Sequence, residues 1–141
     1  MSMTLLAIVG LNCGLTTAEL SKNAEKLGLP IVITHEANLK THSGFLPVRL
    51  AGGDSGVETY YIDDPKALAS LPPNQAVQQD KSAIVEFRWG GNFQEGATAL
   101  YLGYILGKAC NAVLFETTGG DYVPTNEALQ GAEAMVSMGQ K

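Results

Sequence analysis

The alternation of apolar and polar side chains is clearest in the segment Ala83–Trp89. Positions 83, 85, 87 and 89 are apolar and share one face of an extended chain, while Glu86 and Arg88 share the other face. This pattern predicts a half-buried β-strand. The run Thr4–Val9 is apolar without alternation, which predicts a strand that is buried on both faces.

Two segments combine helical periodicity with a capping pair. Thr16 and Glu19 have capping-box spacing at the start of a helix predicted over 17–27. Asn92 and Glu95 have the same spacing at the start of a second helix, about 93–110, which is apolar nearly all round and should therefore be largely buried. In this second helix small residues recur every four positions up to Gly107, which predicts a close approach to a sheet.

The remaining elements follow from apolar runs and turn signals. We predict strands at Ile31–Thr34, Phe45–Leu50, Val57–Ile62 and Val113–Glu116, a short helical turn from Asp64 to Leu71, and a last helix from Pro124. The glycine-rich segment 51–56 predicts a hairpin, and 74–81 reads as a polar loop. This order favours an α+β fold, in which a mainly antiparallel sheet carries two or three helices on one face. A small doubly wound sheet is the alternative.

Composition narrows the class of protein. The chain has 141 residues, of which 45% are hydrophobic, and this predicts a single domain over 1–141. The formal net charge of −5, without a cluster of Lys or Arg, argues against nucleic-acid binding. No apolar run is long enough to cross a bilayer, and no basic residue precedes the first apolar run, so we predict a cytoplasmic protein without membrane association.

Cys13 and Cys110 each lie beside apolar sequence, and they are expected to be two small buried side chains. Their number also allows a disulfide.

The sequence carries no recognisable catalytic or metal-binding motif. Gly53–Gly56 resembles the nucleophile segment of trypsin-like proteases, but a hairpin turn explains all four residues. His35-Glu36 resembles the start of a zinc-protease helix, but Leu39 stands where the second histidine should be. His42 adds too few donors for a zinc site. We therefore predict no catalytic residues, no metal and no cofactor, and a binding protein rather than an enzyme.

Three segments support a resemblance to a known group of proteins. They are Ser43–Pro47, Asp54–Glu58 and Phe87–Gly91, the last leading into an alanine-rich helix with an early Glu95. Over residues 43–116 the chain resembles small bacterial proteins that include immunity proteins, the cytoplasmic antidotes encoded beside secreted antibacterial toxins. The resemblance implies a protein that binds a cognate toxin enzyme and occludes it, without catalytic residues of its own.

The acidic charge favours a basic protein partner, and acidic or aromatic residues near turns are the candidates for contacting it. These candidates form two alternative patches, and a homo-oligomer stays open. The candidates are Asp54, Glu58, Tyr60, Asp63, Asp64, Asp121 and Tyr122.

An alternative class is a small-molecule or anion-binding protein, with or without enzymatic activity. Gly90 and Gly91 link a strand to a helix N-terminus, where free N–H groups attract anions, and Arg88 is near in sequence.

Overall fold

The computed structural model describes residues 2–139, and in this range it contains five helices and one seven-stranded sheet. The strands are β1 (Met3–Val9), β2 (Ile31–Val32), β3 (Gly44–Leu50), β4 (Gly53–Ile62), β5 (Ala83–Trp89), β6 (Val113–Glu116) and β7 (Asp121–Val123). The helices are α1 (Thr17–Lys26), α2 (Pro65–Ala69), α3 (Gln75–Asp80), α4 (Phe93–Cys110) and α5 (Thr125–Gly139).

All neighbouring strands of the sheet are antiparallel, in the order β2-β3-β4-β5-β1-β6-β7. The predicted α+β class with an antiparallel sheet is therefore confirmed, and the doubly wound alternative is wrong. The two strands with the strongest sequence patterns, β1 and β5, pair with each other at the centre. Both faces of β1 are buried, as its unbroken apolar run predicts.

The three long helices, α1, α4 and α5, cover one face of the sheet and enclose the main core. The two short helices lie on the other face, where Val77 of α3 and Leu68 of α2 pack over a smaller core around Ile8 and Ile84. The segment 74–81 was predicted to be a loop, and that prediction is wrong. Asn74 caps α3 by accepting a hydrogen bond from the Val77 N–H at 3.2 Å.

The hairpin between β3 and β4 is tighter than predicted. Its connection is Ala51-Gly52, and both residues have positive φ, at 49° and 82°. Such two-residue turns match the twist of the flanking strands. Gly53–Gly56 consequently belongs to the strand β4 instead of the turn.

Helix α4 lies unusually close to the sheet because of its small residues. A Cβ atom added to Gly103 would lie 2.8 Å from Leu5 Cδ2 and 3.4 Å from Leu114 Cδ2, and both leucines are fully buried. Asn92 caps the helix by accepting a hydrogen bond from the Glu95 N–H at 3.1 Å. The predicted span and cap of this helix are confirmed, as is the close approach to the sheet at Gly103, whereas Gly107 lies against Thr125 of α5.

The two cysteines are bonded to each other. The Cys13–Cys110 disulfide joins the loop after β1 to the last residue of α4, across 97 positions of sequence. The expectation of two separate apolar side chains is therefore wrong, because the fold brings together two residues whose proximity no local pattern reveals.

Gly103→Val should destabilise the protein, because the added side chain collides with Leu5 and Leu114 in a closed core. Overpacking of this kind costs about 1–3 kcal/mol. The matched control is Ala134→Val on the exposed side of α5, which tests only the helix propensity of valine. Urea denaturation of both variants measures the difference, and equal unfolding free energies would contradict the close approach.

Removing the disulfide should also lower the unfolding free energy. A cross-link that closes a loop of about 100 residues restricts the unfolded chain by about 4.7 kcal/mol in the chain-entropy account, and measured losses are about 2–5 kcal/mol. We expect a reductant to lower the denaturation midpoint of the native protein. A Cys13→Ala, Cys110→Ala double variant should start at that lower midpoint and not respond to the reductant. A native midpoint that is unchanged by complete reduction would contradict this prediction.

Candidate functional site: the open half of the sheet

The second face of the sheet is covered only in part. Three cross-strand rows lie side by side on β4, β5 and β1, and the first of them, Ile62–Ile84–Ile8, lies in the small core under the short helices. The next two rows are Tyr60–Glu86–Leu6 and Glu58–Arg88–Thr4. The row under α2 and α3 is thus made of isoleucines, and the two rows farther from these helices contain polar side chains.

Four of these side chains form two hydrogen-bonded pairs that contact each other, and we call this group the sheet-face network: Glu58, Tyr60, Glu86 and Arg88. The Tyr60 hydroxyl donates to Glu58 Oε1 at 2.5 Å, and Arg88 donates to Glu86 Oε2 at 2.8 Å. The guanidinium carbon of Arg88 lies 5.1 Å from the centre of the Tyr60 ring, within the range of a cation–π interaction. These contacts join the two pairs into a unit with a fixed arrangement.

The two charges of the Arg88–Glu86 pair differ in exposure. The Arg88 side chain is 43% exposed and the Glu86 side chain 15% exposed. Glu86 is therefore largely buried and holds the Arg88 guanidinium in place, while Arg88 presents its remaining N–H groups to solvent. The sequence pattern placed Glu86 beside Arg88 on one face of β5. It could not reveal the burial of Glu86, because that burial depends on the neighbouring strands.

The network changes the chemistry of Tyr60. Its hydrogen bond to Glu58 raises the pKa of the Tyr60 phenol above the usual range, and desolvation and the negative charge of Glu58 act in the same direction. The positive charge of Arg88 opposes the rise. The neutral phenol, which can donate a hydrogen bond, is thus the favoured form.

Phe45 borders the network on β3, in register with Glu58. Its ring packs against Gly56, where a Cβ atom would leave it no room, and the residue stays 52% exposed. Sequence analysis did not select Phe45 as a contact residue. The alternation in Phe45–Leu50 could have placed it on the polar side of the strand.

The outer edge of β3 is protected against pairing with another strand. Pro47 lacks an N–H group, and His42 Nε2 lies 3.0 Å from the carbonyl oxygen of Phe45, to which it donates. Proline is a common means of blocking an edge strand. This stretch of β3 is therefore poorly suited to pair with an added strand.

The structure brings together only some of the predicted contact residues. Glu58 and Tyr60 share the network, and Asp54 lies on the same face at the hairpin end of β4, where it accepts a hydrogen bond from Arg49 at 2.6 Å. Asp63 and Asp64 follow the opposite end of β4, and the Asp64 side chain caps α2.

Asp121 and Tyr122 lie on β7, four strands from β4 and so about 19 Å away across the sheet. The Tyr122 hydroxyl donates to the Pro72 carbonyl at 2.6 Å, and the Tyr122 ring packs edge-on against Phe115. Tyr122 therefore has a structural role in covering the small core, while Asp121 is exposed.

Arg88, Gly90 and Gly91 do not converge on one site. The guanidinium of Arg88 extends back along β5 to Glu86, on the face opposite to α4. Gly90 and Gly91 form an exposed turn that leads into α4. The cation predicted to assist an anion at this corner is instead paired with a carboxylate on the other side of the sheet.

The rings of His35 and His42 lie 5.8 Å apart, centre to centre. Within residues 2–139, however, no three or more His, Cys, Asp or Glu side chains are grouped so that they could hold a metal ion. No helix in the described part of the chain is both long and apolar enough to cross a membrane.

Comparison with known protein families, curated proteins and solved structures found no match to this chain.

The perturbed tyrosine gives a pH prediction. Because the folded state holds the Tyr60 proton more tightly than the unfolded chain, whose tyrosine pKa is about 10, stability should fall as the pH rises above that value. Tyrosine ring-carbon NMR should show the Tyr60 pKa returning towards its usual value in Glu58→Ala. The control variant Asp121→Ala should leave it raised. An unchanged Tyr60 titration in Glu58→Ala would contradict the role of Glu58.

Proposed function

We propose that this protein is a cytoplasmic immunity protein that binds a cognate toxin enzyme and occludes it through the open half of its sheet. The observation that carries the proposal is the sheet-face network, a group of polar and aromatic side chains next to the small core under α2 and α3. The resemblance over residues 43–116 supplies the class of partner.

The composition of this surface suits a protein interface. Tyrosine and arginine are the residues most often found as energetic centres of interfaces, and here Tyr60 and Arg88 are stacked on each other. Because their arrangement is already held by Glu58 and Glu86, less side-chain freedom is lost when a partner binds. Phe45 adds an exposed apolar side chain beside them.

The charge of the protein favours a basic partner. The chain has a formal net charge of −5, which attracts a positively charged protein and speeds the encounter. Glu58 contributes a local negative charge, since only its Oε1 accepts a hydrogen bond from a side chain within residues 2–139. A partner cation can therefore pair with the carboxylate without breaking the network.

The proposal predicts tight inhibition of the protein encoded beside this one. We expect nanomolar affinity, equivalent to about −12 kcal/mol. Glu58→Lys should slow association, more strongly at low salt, because it reverses a charge within the contact surface. The matched variant Asp121→Lys makes the same charge change on β7. It should leave the association rate within about twofold of the native rate, because β7 is far from the contact surface and salt screens charges over such distances.

Stopped-flow association and enzyme inhibition by the purified pair provide the measurement. Failure of the adjoining gene product to bind would overturn the proposal, as would a small molecule retained stoichiometrically in place of a protein partner. If Asp121→Lys slows association and Glu58→Lys does not, the interface lies at Asp121 and Tyr122 on β7. This result would overturn the assignment to the open half of the sheet.

A further inference from the structure

A cleft of about 560 Å³ opens at the β3 edge of the sheet, between the β3–β4 hairpin and the adjoining ends of α4 and α5. Its apolar lining includes Val48 and Leu50 of β3, which are otherwise buried, and Val136 of α5. Phe45 lines the cleft and also borders Glu58 on the open half of the sheet. The cleft lies on the α4 side of the sheet and the network lies on the opposite face, so a partner that contacts both must pass round the β3 edge at Phe45.

Most of the polar side chains that line the cleft already form hydrogen bonds or ion pairs within the protein. The Asn92 side chain accepts a hydrogen bond from the Glu95 N–H, and Gln94 donates to the Gly139 carbonyl at 2.9 Å. Asp54 is paired with Arg49 at 2.6 Å. The remaining charged group is the carboxylate of Glu95, which forms no ion pair with any residue between 2 and 139.

Exposed apolar side chains collect at the same end of the molecule. Phe93, which is 45% exposed, lies between the cleft-lining residues Asn92 and Gln94. Met138, which is 44% exposed, precedes Gly139, the hydrogen-bond partner of Gln94. Of these three exposed side chains, Phe45 lines the cleft itself.

Two groups decide whether the cleft favours a cation or an anion: the N-terminus of α4 and the carboxylate of Glu95. The N-terminus of α4 acts as roughly half a positive charge, which favours an anion. Glu95 carries a full negative charge in the first turn of that helix. The carboxylate outweighs the helix terminus, so the cleft favours a cation.

We propose that this cleft receives a basic side chain of the protein partner, with its aliphatic stem against Val48, Leu50 and Val136 and its charged end at Glu95. Lysine and arginine commonly bury their methylene stems on apolar surface while keeping the charge at a polar edge. The inference rests on the proposed function, because it identifies one anchor of that interface.

The cleft can be tested without the partner by using two small probes of matched shape and opposite charge. Phenethylamine is the cation and 3-phenylpropanoate is the anion. In backbone NMR titrations of the full chain, the amine should shift the signals of Val48, Leu50, Glu95 and Val136, and the carboxylate should not. Glu95→Gln should weaken amine binding by about twofold to fivefold, the range expected for one exposed charge pair. Glu133→Gln, an equal change on the exposed side of α5, should have no effect.

Glu95→Gln keeps the Asn92 cap and a side chain of the same length, so the fold should persist, and the NMR spectrum itself reports whether it does. Equal shifts with both probes, or shifts confined to the sheet-face network, would overturn the proposal. Inhibition of the adjoining gene product tests the interface separately. If the Glu95→Gln variant inhibits as well as the native protein and no amine binds the cleft, the proposal for the cleft is overturned and the proposed function stands. Amine binding without any inhibition would overturn the proposed function and, with it, the identity of the occupant as a partner side chain.

Discussion

Helix α4 can approach both the sheet and α5 closely because it has small residues at both contacts, and the other layers are arranged around it. Gly103 lies against Leu5 and Leu114, Gly107 lies against Thr125 at the start of α5, and Gly96 lies against Met135 further along the same helix. Since α4 is apolar nearly all round, it requires cover on every side, from the sheet beneath it and from α1 and α5 beside it. All three long helices are thereby drawn to one face, and the other face is left to the short helices.

Elements with strong local signals could be predicted from the sequence, and elements that depend on distant contacts could not. The bounds of β5 and α4 agree with the prediction because alternation and capping are encoded within the segments. Helix α3 was missed because Val77 is its one buried residue, and the core that Val77 joins is assembled from several strands and α2. Strand β7 has three residues, too few to show a period, and is defined by its pairing with β6. The disulfide depends on the same long-range assembly.

The candidate site shows the same division. Alternation alone puts Glu58 and Tyr60 on one face of β4, and Glu86 and Arg88 on one face of β5. Whether these pairs meet depends on strand order and register, which place Glu58 opposite Arg88. Proximity in sequence was a poor guide to the other acidic residues. Asp54 and Asp64 lie at opposite ends of a ten-residue strand, about 30 Å apart when extended.

The polar composition of the two outer rows explains why this half of the sheet can stay open. Covering it with a helix would require the desolvation of Arg88 and two carboxylates, and the burial of a charge pair often costs more than the pair returns. Left open, the side chains satisfy one another through the Tyr60–Glu58 and Arg88–Glu86 hydrogen bonds.

A partner that covers these two rows must also desolvate Arg88 and the two carboxylates. It can offset that cost by placing a positive charge where the network leaves a hydrogen-bond acceptor free. That acceptor is the second oxygen of Glu58, and a cation placed there adds an interaction without removing one. The features that keep the surface stable in water thus also select for a basic partner, and they disfavour an apolar one, which would bury the charges without compensation.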